Sequence, residues 1–119
     1  MRTDSPVPYL QLRVKLGAGA VFGPGKAELL EHIAATGSIS AAARAMRMSY
    51  KRAWQLVDDM NRAFAQPLVA TAAGGVQGGG TALTPAGEKI LDCYRTLQRK
   101  ASTATKRELA LLARAAAKA

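Results

Sequence analysis

Apolar and polar residues alternate from position 9 to position 17. Leu10, Leu12, Val14 and Leu16 fall on one side, Gln11, Arg13 and Lys15 on the other. A period of two predicts a half-buried strand. The glycine-rich "GAGAVFGPGK" that follows predicts a turn and a short second strand around Ala20 to Phe22. The period then changes. In "PGKAELLEHIAATG", Ala27, Leu30, Ile33 and Ala34 keep helical spacing, with Pro24 at the start and Gly37 at the C-terminal cap.

Two more helical patterns follow within "GSISAAARAMRMSYKRAWQLVDDMN". Ser40 is the expected N-cap of "AAARAMR", and Ser49 of "YKRAWQLVDDMNRAFA". Only "RMS" separates them. In the second pattern Ala53, Val57, Met60 and Phe64 form the core side, with Leu56 beside them, while Lys51, Gln55, Asp58 and Arg62 fall opposite. Trp54 is flanked by core positions and is expected to pack inside.

After Pro67, two short strands are expected around 68–71 and 81–83, joined by a glycine-rich loop. The last pattern is one long helix with Thr84 as N-cap and Pro85 at its first position. Ile90, Tyr94, Leu97, Ala101 and Ala104 repeat along it as a coiled-coil-like seam, which thins where Glu108 falls on it. Residues 1–8 and 106–119 are expected to be disordered or frayed.

A length of 119 residues suggests one domain spanning 1–119. With 49% hydrophobic and 21% charged residues the composition is that of a globular chain. The one long uncharged run, 63–87, holds six glycines and two prolines, so a membrane-spanning helix is not expected there. The N-terminus, with Asp4, Pro6 and Pro8, has no secretory signal, and a cytoplasmic location is expected. The single cysteine, Cys93, excludes an internal disulfide and is expected to be a buried small hydrophobe.

Charge changes the picture most. A formal charge of +9 favours polyanionic partners, nucleic acid before anionic membrane. On the last helix eight basic residues face three acidic ones. They form either the solvated outer face of a dimer helix or a stripe facing phosphate or an anionic membrane. Catalytic chemistry finds no support: His32 is the only histidine, and no triad or metal-ligand cluster is evident. Neither an enzyme, nor a metal site, nor a cofactor is expected. "GGVQGGG" lacks the Gly-Lys-Ser/Thr ending of a phosphate loop and reads as a hairpin loop.

The alanines Ala41, Ala42, Ala43 and Ala45 permit the close crossing of a helix-turn-helix. The first turn of its second helix would then face base edges. Arg52 or Lys51 would donate to guanine and Gln55 would pair with adenine, while Ser49 and the free N–H groups suit phosphate. The alternative is that Lys51 and Arg52 are solvated surface charge. Tyr50 either stacks on sugar or packs on the preceding helix. Asp58 and Asp59 would repel phosphate, so the contact zone is expected before them.

These residues carry a resemblance. "GSISAAARAMRMSYKRAWQLVDDMN" followed by "GGVQGGGTALTPAGEKIL" resembles the N-terminal winged-helix domain of ModE-family transcription regulators. The first half, "GSISAAARAMRMS", also resembles the LysR-type helix-turn-helix; "SYKRAW" and the glycine-rich wing point to ModE. Positions 10 to about 100 are covered. The resemblance implies a mainly α fold with a small β component, a winged helix-turn-helix with an N-terminal strand and a long C-terminal dimerisation helix. It implies a homodimer on a palindromic operator in double-stranded DNA, with "SYKRAW" on the recognition helix.

Two departures stand out. Full-length ModE regulators carry molybdate-binding domains, for which this chain leaves no room, so molybdate binding within it is not expected. The wing segment "AAGGVQGGG" has no basic residue, so wing contacts would rest on backbone N–H groups and Gln77. The expected DNA-binding set is thus Ser40, Ser49, Tyr50, Lys51, Arg52, Gln55 and Gln77. The expected function is sequence-specific regulation of transcription, with a link to molybdenum metabolism. The alternative is a non-specific architectural nucleic-acid binder.

Overall fold

The computed structural model describes residues 7–72 and 80–116. In chain order they form β1 (Val14–Gly17), β2 (Ala20–Phe22), α1 (Pro24–Thr36), α2 (Ile39–Ala45), α3 (Tyr50–Ala63), β3 (Val69–Ala72), β4 (Gly80–Leu83), α4 (Pro85–Ala104) and α5 (Lys106–Ala115). This is a winged helix-turn-helix, in which α1, α2 and α3 pack together and the β3–β4 hairpin follows as the wing. Each strand pair is antiparallel.

The core gathers around α1. Leu29, Leu30 and Ile33 are fully buried, and Met60 of α3 and Leu68 before β3 are buried with them. Ala42, Ala43 and Ala53 are buried too, and their small side chains let α2 and α3 approach. Phe22 stands at the centre of an aromatic trio. Its ring meets Phe64 edge-on at 6.1 Å and Tyr94 at 5.2 Å. That trio ties β2, the end of α3 and α4 into one core.

The predicted alternation at 9–17 holds in part. Leu10, Leu12 and Val14 are half-buried, and Gln11, Arg13 and Lys15 are exposed. Regular strand pairing is confined to Val14–Gly17, and its register shifts between Lys15 and Gly17. Leu16 at that shift is 42% exposed, so the inward row stops one residue earlier than the pattern suggests.

Helix ends follow local chemistry. Pro24 opens α1, and Gly37 closes it in the left-handed conformation, with its N–H donating to the Ile33 carbonyl at 2.8 Å. The hydroxyls of Ser49 and Thr84 accept from the N–H groups of Arg52 and Gly87. Ser40 is not the cap of α2. Ser38 is, its Oγ accepting from Ala41 N–H at 3.0 Å. The helix begins earlier because Ile39 is a buried core residue and must already lie on the helical inner face. Ser40 lies within α2, exposed, and accepts from the Arg44 guanidinium at 3.2 Å.

The predicted long C-terminal helix is two. A break at Thr105, whose hydroxyl donates to the Ala101 carbonyl at 2.7 Å, separates α4 from α5. Cys93 is exposed rather than buried. The inner side of α4 runs through Gly87 and Tyr94, with Ile90 and Leu91 partly buried, and Cys93 lies off that line. No helix among the described residues is long and apolar enough to cross a membrane.

Candidate nucleic-acid interface

The turn between α2 and α3 is made by Met46, Arg47, Met48 and Ser49. Arg47 takes a left-handed conformation at φ 56, a place where glycine is usual. The Met48 N–H reaches back to the Ala43 carbonyl at 3.0 Å, which fixes the exit from α2. Ser49 then caps α3 and sets the direction of its first turn.

That first turn holds no acidic residue. Tyr50, Lys51, Arg52 and Gln55 are all exposed. Among the described residues no side-chain hydrogen bond or ion pair engages Lys51, Arg52 or Gln55, so their donors remain available to a ligand. The acidic end is different. Arg62 pairs with Asp58 at 3.0 Å, which offsets one of the two carboxylates farther along the helix. Ser49 is partly spent, because its Oγ already accepts the capping bond. Gln77 lies outside the described residues.

Trp54 does not pack inside. It is 49% exposed, because the buried row of α3 is Ala53, Val57 and Met60 and Trp54 lies a quarter-turn away from it. Being flanked in sequence by core positions does not place a helical residue in the core. Two arginines beside this surface escaped the reading of the sequence. Arg44 on α2 and Arg47 in the turn are both exposed. The signal was present in "ARAMRMS", whose arginines fall where α2 ends. On the other flank of α3, Arg52 and Leu56 share an open depression with Arg13, Gly23, Lys26 and Met48. Lys26 donates there to the Val21 carbonyl at 2.8 Å.

The wing is held to the same frame. Asn61 near the end of α3 accepts from the N–H groups of Leu68 and Val69 at 2.8 and 3.1 Å, and donates to the Val69 carbonyl at 3.1 Å. The Thr81 N–H of β4 donates to the Gly37 carbonyl at 3.0 Å. The Thr84 hydroxyl donates to the Pro67 carbonyl at 2.6 Å, closing the base of the hairpin. Gly87 makes room for it: a β-carbon there would run into the Leu68 carbonyl.

The sequence that builds this framework is similar to that of known proteins. The chain is 50% identical over 80 residues to the molybdenum-pterin-binding protein MopB of Rhodobacter capsulatus, covering 67% of this chain and 30% of that protein. It is 45% identical over 80 residues to the molybdenum transport protein ModE of Azotobacter vinelandii, again 67% and 30%. It is 40% identical over 88 residues to the transcriptional regulator ModE of Haemophilus influenzae, covering 74% and 34%. The chain thus spans about a third of the length of the curated relatives it matches. Residues 25–88, from the first turn of α1 to the first turn of α4, match the model of the bacterial regulatory helix-turn-helix proteins, lysR family. That stretch holds the whole helix-turn-helix and the wing, and the chain belongs to that family.

Proposed function

We propose that the chain is a DNA-binding domain that reads a palindromic operator as a homodimer and regulates transcription. The observation that carries this is the Ser49-capped first turn of α3. It presents Lys51, Arg52 and Gln55 outward, and among the described residues no side chain pairs with them. Arg52 or Lys51 suits the O6 and N7 of guanine, and Gln55 suits adenine. Tyr50 and the free N–H groups of the turn suit the backbone, as do Arg44 and Arg47. Gln77 would add a wing contact.

The homodimer is supported by apolar side chains that stand exposed on the single chain. Leu97, Leu111 and Leu112 are 38%, 49% and 69% exposed along α4 and α5. The ten residues of α5 bury none of their side chains, and a helix that short gains most of its stability from packing. Tyr9 and Leu16 are exposed at the N-terminal end. A link to molybdenum metabolism, and action in the cytoplasm on the nucleoid, rest on the relatives named for molybdenum and for transcription regulation.

The test is selection of bound duplexes from a random pool, then titration at fixed salt. A specific regulator prefers selected to random DNA by about 10³ or more. A ratio near one sinks operator reading and leaves the +9 charge as the basis of non-specific binding.

A further inference from the structure

Helix α3 carries two large exposed rings, Tyr50 at 56% and Trp54 at 49%. They are four residues apart and so share one face of the helix. Neither belongs to the aromatic core, which is Phe22, Phe64 and Tyr94. The pair runs beside Lys51 and Gln55, which point away from the buried row of Ala53, Val57 and Met60. Leaving such rings in water is unfavourable for the free protein, and an exposed apolar feature of this kind marks a contact surface.

Its surroundings select the occupant. Arg44, Arg47, Lys51 and Arg52 are all exposed around the start of α3. A second copy of the chain would bring the same cations against them, whereas duplex DNA brings phosphates. Within the major groove the one apolar group on a base edge is the thymine 5-methyl, and apolar side chains read it.

We infer that Trp54, with Tyr50 beside it, is a specificity-determining apolar reader of thymine methyl groups. This rests on the operator reading proposed above and adds to it a base class that the polar side chains do not distinguish. The readout is favourable, because Trp54 is the only tryptophan and its emission reports this position alone.

The experiment takes a duplex selected from random DNA and replaces each thymine in turn with deoxyuridine, which removes only the methyl. Affinities are measured by anisotropy at fixed salt for the wild-type chain, Trp54→Ala and Trp54→Phe. At one or more positions in each half-site the wild-type chain is expected to lose about fourfold, the factor one buried methyl carries. Trp54→Ala is expected to show no loss there, and to bind the selected duplex about tenfold more weakly while holding random duplex unchanged. Trp54→Phe, which keeps a ring, is expected to retain part of the methyl effect. The selected duplex should also shield Trp54 emission from acrylamide more than random duplex does. Circular dichroism checks that both variants fold.

If the deoxyuridine scans of wild type and Trp54→Ala coincide, or Trp54→Ala binds the selected site as tightly as wild type, the inference is overturned and operator reading stands. If no sequence is enriched from the pool, operator reading itself fails and takes the inference with it.

Discussion

The hydroxyl of Tyr94 on α4 donates a 2.6 Å hydrogen bond to the main-chain carbonyl of Leu12, 82 residues earlier in the chain. One phenol thus fastens the N-terminal segment to the C-terminal helix while its ring packs on Phe22. Tyr94→Phe keeps the ring and removes the bond. The expected cost is about 1 kcal/mol, read as a lowered urea midpoint with an unchanged slope.

The same residue sets an alkaline limit. Burial pushes the Tyr94 phenol above its ordinary value, partly opposed by the Arg95 guanidinium. A folded-state pKa raised above the unfolded one stabilises the fold fully below about pH 10, the ordinary tyrosine value, and that contribution is lost as pH rises through the folded value. Stability of the wild-type chain is therefore expected to fall faster above pH 10 than that of Tyr94→Phe. Parallel melting curves for the two across that range would refute the assignment.

Asn61 couples α3 to the wing through three hydrogen bonds. Asn61→Ala leaves the Leu68 and Val69 N–H groups, both on buried residues, without their acceptor. A loss of about 2–3 kcal/mol in folding free energy is expected. Asn61→Asp keeps the acceptor for both N–H groups but sets a carboxylate oxygen against the Val69 carbonyl in place of the donor, so it should lie between. Thermal melts of the three proteins decide the order.

Arg52 and Arg47 should separate two kinds of DNA contact. Arg52→Ala is expected to lose discrimination at one base pair, at roughly 1–3 kcal/mol. Arg47→Gly should weaken all duplexes alike and lower the salt slope by about 1. Its stability should change little, because glycine suits the left-handed turn position but adds freedom to the unfolded chain. Equal loss on every sequence for Arg52→Ala would remove its base-reading role.

The exposed leucines of α5 should report assembly. Leu112→Glu alters a side chain that is 69% exposed in the single chain, so the fold should survive. Sedimentation equilibrium is expected to show a dimer for the wild-type chain and a monomer for this variant. A wild-type monomer at every concentration tested would end the homodimer proposal.

Much of this molecule was legible in its sequence, for physical reasons that differ by element. Caps were readable where one side chain decides: Ser49, Thr84 with Pro85, and Gly37 all stand where the local chemistry puts them. Ser40 was misplaced because "GSIS" offers two serines, and the choice between them is made by Ile39, whose burial is a tertiary fact. Trp54 and Cys93 are neighbours in sequence of core positions, but each sits off the inner row of its helix, and a helix buries by angle and not by adjacency. The break at Thr105 was hidden because alanine-rich sequence on both sides favours helix equally. The outward positions of Lys51 and Gln55 were legible from helical period alone. Arg44 and Arg47 needed the geometry of the turn.

Gly37 ends α1 through its N–H and receives β4 through its carbonyl. A single residue therefore serves as a common pivot for the α2–α3 pair on one side and the hairpin on the other. Residues on the outer face of α3 can be exchanged without disturbing that pivot, which makes the scaffold suited to retargeting by substitution. A residue inserted between α1 and α2 would shift helix and hairpin out of step, and no change to α3 would restore them.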